Sequence, residues 1–514
     1  MSSSADTQLR ASETQDSNPE LVKGLGLTSA TTLVMGSMIG SGVFIVSAEI
    51  ARETDSPALL IGAWLVTGFL TIVGALSYGE LAAMMPRAGG QYVYLRESLG
   101  PLWGFLYGWT LFLVIQTGTV AAVGVAFGKF LGHFFPSVAA DHWLWHIAHI
   151  PPIHIGQMVL GNMDVGLNTQ NLAGIVIVVV LTVVNIFGLK TGAFVQNVFT
   201  IAKVSALLGF VLVGIFVGRN AEAVAANFTN FWRNASLGAQ HAVQVGVGGP
   251  MVMVGMLTIL AVAQTGTLFS ADAWNNVTFT AGEVKNPRRN LPLALALGTG
   301  VVIILYVAAN FIYLNVLPLD AIKNAANDRV GTAAMQQMFG GRGADLMAVA
   351  ILLSTFGCCN GLILAGARVY YAMAKDGLFF KRVGAIHPRY KTPAFSLVVQ
   401  GIWTCLLCLS GSYGQLLDYI IFAVLIFYIL TIGGLFVLRY KRPDAERPYR
   451  AIGYPVLPAI YIVMALFIDV VLLLYKPQYT WPGLIIVLLG IPVYLVWSRR
   501  SAGPESSVST KGQI

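Results

Sequence analysis

The chain has 514 residues, of which 56% are hydrophobic and 11% charged, and its formal net charge is +8. A soluble domain carries about 25% charged residues, so a surface this apolar belongs in lipid. The positive balance does not mark a nucleic-acid binder, because the cations sit in short loops between apolar stretches and form no phosphate-tracking stripe.

The first 20 residues are Ser-rich and polar with no apolar core, which excludes a secretory signal. Residues 1–22 and 499–514 read as disordered tails. Between them, stretches of about 20 mostly apolar residues, enough to cross a bilayer, fall at 28–51, 57–84, 102–133, 170–189, 193–217, 252–281, 291–317, 343–374, 394–411, 416–438, 455–475 and 481–498. The chain is therefore expected to be an all-α membrane protein of about twelve transmembrane helices, here called spans 1 to 12. With the N-terminus inside, 21 of the 31 Lys and Arg fall on the cytoplasmic side, seven outside and three (Lys129, Lys203, Arg368) within spans. That bias places both termini in the cytoplasm. Lacking a signal peptide, the chain fits a bacterial inner membrane.

Span 1 contains Met35-Gly-Ser-Met-Ile-Gly-Ser-Gly-Val-Phe44, with Gly40, Ser41 and Gly42 near mid-membrane depth. Gly costs a helix about 1 kcal/mol against Ala, so three small residues invite a break. Backbone freed there survives only beside protein or a wet cavity. The half-helix that follows would point its N-terminal amides at an anion. A close helix contact through Gly36 and Gly40 fits the same spacing, and spacing leaves both readings open.

Glu80 and Arg87 flank the end of span 2, either as an inner gate or as an ordinary interfacial pair. Lys129 lies near a helix end and is expected to snorkel. The outer loop 134–169 carries His142, His146, His149 and His154, just after His133. His142 and His146 are spaced for one helical face. Two readings follow: a metal site, or a partly ordered interfacial loop with Trp143 and Trp145 at headgroup level. The second has the better case, since Asp141 and Asp164 are the loop's only carboxylates and it has no Cys.

Lys203 in span 5 needs carbonyls or hydroxyls around it, unless it snorkels. Span 6 holds Thr265-Gly-Thr-Leu-Phe-Ser-Ala-Asp-Ala-Trp274, with Asp272 at mid-span. A carboxylate there must face a cavity or a partner. Breaks in spans 1 and 6, five helices apart, are what two inverted repeats give, with the site at their interface. Arg368 at the inner half of span 8 is either a gate or an interfacial residue, and Asp469 in span 11 has no evident role. The four cysteines, Cys358, Cys359, Cys405 and Cys408, all lie in apolar segments. They imply packing, with neither a disulfide framework nor a zinc site.

Gly40-Ser-Gly-Val-Phe44, Tyr78-Gly-Glu-Leu81 leading to Pro86-Arg-Ala-Gly-Gly-Gln-Tyr92, and Gly282-Glu-Val-Lys-Asn-Pro-Arg-Arg-Asn-Leu-Pro292 together resemble the amino acid–polyamine–organocation transporter superfamily over nearly the whole chain. Ser354-Thr-Phe-Gly357 with Asn360-Gly361, and Trp274-Asn275, are similar to its L-type amino acid transporter branch. The resemblance implies a LeuT-type five-plus-five inverted repeat (23–217 and 250–438), with two further helices in 439–498, working by alternating access. It implies that amides around Gly40, Ser41 and Gly42 hold the substrate carboxylate. Carbonyls near Met38, Leu268 and Ala271 would hold its ammonium, and Phe269 would be an aromatic gate. Lys203 would stand where sodium-coupled relatives bind an ion, beside span 1 carbonyls and hydroxyls such as Ser354 or Thr355. The chain departs from the branch's Phe-x-Tyr-x-Gly-Trp pattern: Ala271 replaces the Tyr and Ala273 the Gly. Asp272 then favours a cationic or hydroxylated side chain, or bonds a neighbouring helix.

The expected function is sodium-independent uptake or exchange of neutral L-amino acids, with proton-coupled transport of cationic amino acids or amines as the alternative. No cofactor and no metal is called for. Eukaryotic members of the branch join a glycoprotein through a cysteine in the loop after span 3. Loop 134–169 has none, so no such covalent partner is expected. A membrane-embedded enzyme would need a clustered nucleophile or metal set, and the spans hold no H-E-x-x-H and no G-x-S-x-G. A channel would need rings of filter residues.

Overall fold

The computed structural model describes residues 21–501 apart from 152, 156–157, 161–162, 246–248 and 410–412. The two expected disordered tails thus lie almost wholly outside the described residues. In lipid every backbone N–H and C=O must be satisfied internally, so long apolar runs close into helices. Ten helices among the described residues are long and apolar enough to cross a membrane: Leu27–Thr54, Pro57–Met84, Pro101–Leu131, Thr169–Ile186, Leu189–Phe216, Pro287–Val316, Gly341–Lys375, Ile420–Lys441, Val456–Tyr475 and Thr480–Ser498. Two shorter apolar helices, Met256–Ser270 and Ala394–Cys408, take the places of spans 6 and 9. Each of the twelve sequence-predicted spans therefore contains a helix. With an even number of crossings, both described ends share one face, called here the terminal face.

Local chemistry sets several helix ends. Ser56 accepts a hydrogen bond from Leu59 N–H at 3.4 Å, and Pro57 opens span 2, where its missing N–H costs nothing. Asn168 caps span 4 by accepting from Asn171 N–H at 2.7 Å. Span 3 is interrupted by a π-helical turn over Leu111–Ile115, with Thr117 Oγ1 donating to Phe112 O at 2.6 Å. Nothing in its apolar sequence signals that turn.

Span 6 starts later than its hydropathy suggests. Met251–Gly255 pairs antiparallel with Gln240–Gln244 instead of joining the helix. The outer loop also differs from expectation. Trp143–Ile150 pairs with Met163–Asn168 as an antiparallel hairpin, so His142 and His146 share no helical face.

Span 1 lies at the centre. Of its apolar core, 89% is buried, against 22% for span 12. Its first half packs on spans 5, 7 and 8, and its second half on spans 2 and 6. Spans 2 and 7 pack together, span 3 packs on spans 4 and 8, and spans 11 and 12 lean on span 10.

Candidate functional site

Helical winding in span 1 stops at Met38 and restarts at Gly42. Ile39 is extended, at φ −76° and ψ 96°. The Gly40–Gly42 stretch is thus a break rather than only a contact. Its freed carbonyls are taken up by neighbours. Lys203 Nζ donates to Gly36 O and Ile39 O, both at 2.6 Å, and to Ser354 O at 3.3 Å. Ser354 Oγ donates to Gly40 O at 2.9 Å and to Ile39 O at 3.1 Å. Lys203 is buried and does not snorkel. Thr355 does not join this set, because its hydroxyl bonds its own helix at Ile351 O, 3.0 Å away. The second half of span 1 begins at Gly42, where Phe44 N–H donates back to Ser41 O at 3.0 Å.

Span 6 stops at Ser270 and resumes for one turn at Asn276. Between them Ala273 takes the left-handed φ of 64°, a conformation in which its methyl is strained. Gly42 meets this second break directly, since a Cβ there would overlap the Ser270 side chain. The two breaks therefore face each other, which brings together Met38, Gly40, Ser41 and Gly42 with Leu268, Phe269, Ala271 and Asp272. All eight are buried.

Asp272 accepts a hydrogen bond from Tyr428 Oη of span 10 at 2.5 Å. A narrow crevice beside it is lined by Gln91, Tyr107, Gln116, Asp272, Asn275 and Tyr428 together with apolar side chains such as Phe279, Leu362 and Val424, and the π-helical turn of span 3 forms part of its wall. Asn275 Nδ2 donates to Gln91 Oε1 at 2.7 Å. Tyr306 Oη of span 7 reaches Met38 O and Ser270 O, each at 3.1 Å. Tyr428 and Tyr306 escaped the sequence reading because a tyrosine in an apolar span carries no positional signal.

The terminal face is closed by buried ion pairs. Arg368 holds Glu283 through two bonds of 2.8 and 3.1 Å, with both side chains at most 1% exposed. Gly24 and Leu25 donate to Glu283 O at 2.9 and 3.0 Å, strapping the N-terminal segment over the same loop. Glu80 is buried, but the structure does not bring Arg87 to it. Glu80 binds Arg439 at 3.0 and 2.6 Å, Arg447 at 3.3 Å and the Ala451 N–H at 2.7 Å, while Arg87 is exposed. Arg439 grips Glu80 through two bonds, a fork geometry that matches both carboxylate oxygens.

On the opposite face a cavity of about 690 Å³ is lined by Ile45, Val46, Glu49, Lys129, Asp328 and Arg329 among others. On the outer hairpin, Asp164 Oδ1 meets His146 Nε2 at 3.0 Å and His149 Nδ1 at 2.9 Å. These hydrogen bonds hold its carboxyl below the usual carboxylate range. His142 bonds Ser137 O at 3.0 Å instead, and the His154 side chain lies outside the described ones. Among the described residues no group of three His, Cys, Asp or Glu is placed to hold a metal.

Two opposed helix breaks around a buried centre, set among twelve apolar helices, define a membrane transporter with the LeuT-type fold. The chain belongs to the amino acid permease family, which it matches over residues 25–497, and it sits within the amino acid–polyamine–organocation superfamily as an L-type-like transporter and not an enzyme. It is 30% identical to the serine/threonine exchanger SteT of Bacillus subtilis, over 94% of this chain and 98% of that one. It is 29% identical to the human large neutral amino acids transporter small subunit 2, over 93% of this chain and 82% of the relative. With the human b(0,+)-type amino acid transporter 1 it shares 28% identity, over 95% and 91% of the two chains. The protein is thus an integral membrane carrier of amino acids.

Proposed function

We propose that this carrier exchanges small neutral L-amino acids by alternating access without sodium, from a bacterial inner membrane with both termini in the cytoplasm. The observation that carries the reading is Lys203, whose ammonium lies 2.6 Å from both Gly36 O and Ile39 O at the span 1 break. A fixed cation there neutralises the freed carbonyls that would otherwise need a metal ion, so no coupling sodium is required. Residues 23–217 and 250–438 act as the two inverted repeats.

In this reading the amides around Gly40, Ser41 and Gly42 hold the substrate carboxylate. Carbonyls of Met38, Leu268 and Ala271 hold its ammonium, and Phe269 closes over it. Glu80 belongs to the inner gate. Transport needs only that the zwitterion bind the two access states differently. The name of the Bacillus relative, a serine/threonine exchanger, supports small substrates. No covalent glycoprotein partner is needed, since loop 134–169 has no cysteine.

Labelled L-serine uptake into proteoliposomes tests this, with and without sodium, a pH gradient and internal amino acid. Uptake should require internal amino acid and ignore sodium. In the same assay Lys203→Ala should lose at least tenfold in rate, and a variant that transports as well as the parent with no added ion removes the role of Lys203. One observation favours a second reading, proton-coupled transport of cationic amino acids. Asp272 is a buried carboxyl at the span 6 break, bonded by Tyr428 and paired with no Lys or Arg among the described residues. Stimulation by an inward pH gradient with empty vesicles would select it.

A further inference from the structure

Between spans 3, 4 and 8 lies a groove of about 480 Å³ that takes no part in the site described above. Phe127 and Leu131 of span 3, Leu172, Val176 and Val180 of span 4, and Phe356 of span 8 form most of its surface. Among the described residues no charged side chain lines it, and its only polar lining residues are Ser137 and Thr169. Thr169 Oγ1 already donates to Ser137 O at 2.7 Å and accepts from Ala139 N–H at 2.9 Å. A zwitterion would find no charged partner here. The groove is open on the side that faces lipid. Leu172, Val176 and Val180, spaced four apart along one helical stripe, are 38, 53 and 46% exposed.

From Thr169, at the start of span 4, to Val180 the helix rises about 16 Å. Half of a bilayer's hydrocarbon core is about 15 Å, so the groove runs the depth of one leaflet, the one away from the terminal face. Its volume fits the same occupant. A dry apolar cavity of about 150 Å³ holds one benzene. On that scale 480 Å³ holds about eighteen carbons, the size of an ordinary acyl chain. We propose that the groove is a binding site for one acyl chain of a phospholipid from that leaflet. Phe356 gives such a chain a consequence. Its ring packs on Phe199 of span 5, with centroids 4.5 Å apart. Phe199 in turn lies against Gly357, where a Cβ would sit 2.8 Å from Phe199 Cβ and 3.6 Å from Lys203 Nζ. A bound chain therefore backs the wall that holds Lys203 against span 8. The proposal needs only the membrane setting, whichever amino acid the carrier takes.

The test uses the purified full-length carrier, washed in detergent and then titrated with palmitoyl-oleoyl-phosphatidylethanolamine. Native mass spectrometry counts the phospholipid retained per carrier, and the thermal unfolding midpoint is read at each step. In the parent one phospholipid should stay bound at detergent levels that strip the rest, and its loss should lower the midpoint. Ala173 lines the groove from span 4, so Ala173→Phe places a ring in it. That variant should retain at least tenfold less of the tightly held phospholipid, and its midpoint should no longer respond to lipid. Val179→Trp, on span 4 and 50% exposed but outside the groove, should match the parent. Equal retention in the parent and Ala173→Phe overturns the proposal, as does a parent that keeps none. If Ala173→Phe cannot be purified, a phosphatidylethanolamine with a diazirine in one acyl chain decides on the parent. After irradiation its adducts should concentrate on Phe127, Val176 and Phe356. Adducts spread evenly over the exposed residues of spans 4, 5 and 12 count against the idea. A dimer in the same spectra that Ala173→Phe abolishes would assign the groove to a second copy and also overturn the lipid reading.

Discussion

Arg368 in span 8 and Glu283 in the loop after span 6 form a two-point ion pair, at 2.8 and 3.1 Å, that is almost wholly withdrawn from solvent. It joins the broken span 6 to a helix that lines the Lys203 site, and it does so on the closed face. Removing one partner of such a pair leaves a buried charge uncompensated, which costs about 3–5 kcal/mol. Glu283→Gln should therefore weaken the closed state and favour opening toward the terminal face. Thiol labelling of an Asn276→Cys probe from that face should accelerate at least tenfold in the Glu283→Gln background. Equal labelling rates would show that the pair does not control closure.

Asp272 depends on Tyr428 for a donor, at 2.5 Å. Tyr428→Phe keeps the ring contacts with Trp274 and Tyr78 but leaves the buried carboxyl short of one hydrogen bond, a loss of about 1–3 kcal/mol. The detergent-solubilised variant should unfold at a lower temperature than the parent. Asp272→Ala removes the acceptor itself. The ratio of L-serine to L-alanine uptake should then fall about fivefold if the carboxyl reads the substrate hydroxyl, and a constant ratio would confine Asp272 to a structural part.

Ala273 sits at φ 64°, where a Cβ costs about 1–2 kcal/mol. Ala273→Gly relieves that strain and loosens the span 6 break. Stability should rise by about 1 kcal/mol or stay level, offset in part by the greater freedom of the unfolded glycine chain. Turnover should rise, because the break is where span 6 must flex. A slower exchange rate in the glycine variant would mean that the alanine geometry is itself needed.

The outer hairpin should respond to acid. Hydrogen bonds from His146 and His149 lower the Asp164 carboxyl below its ordinary value. A carboxyl lowered on folding adds stability that is present above its unfolded range, near pH 4, and is lost as pH falls through the folded value. Protection of residues 143–150 and 163–168 against hydrogen exchange, relative to the intrinsic rate at each pH, should thus be high at pH 7 and lower below about pH 4. In Asp164→Asn it should be low at both. If protection in the parent were indifferent to pH across that range, the shared carboxylate would not be what orders the hairpin.

Parts of the proposed site left a mark in the sequence: Gly40, Ser41 and Gly42 allowed either a break in span 1 or a close helix contact, and Asp272 announced a cavity or partner by being charged at mid-span. Other features were not legible. Hydropathy merged Met251–Gly255 with span 6, since an apolar strand and an apolar helix end look alike over five residues. His142 and His146 suggested a helical face only because their spacing was read before the strand pairing was known. Thr355 and Ser354 are neighbours in sequence, yet the helical rotation of about 100° between them sends one hydroxyl to Ile39 and Gly40 and the other back along its own helix.

From the sequence alone came the bilayer environment, about twelve crossings and two stretches where a break was one of the readings, because apolar length and small-residue runs act on the few residues around them. The tertiary structure decided who meets whom: Lys203 with Gly36 and Ile39, Glu80 with Arg439 and not Arg87, Arg368 with Glu283, and Tyr306 between Met38 and Ser270. Those partners lie far apart along the chain, and only the rotation and depth of each packed helix determine which polar group faces which.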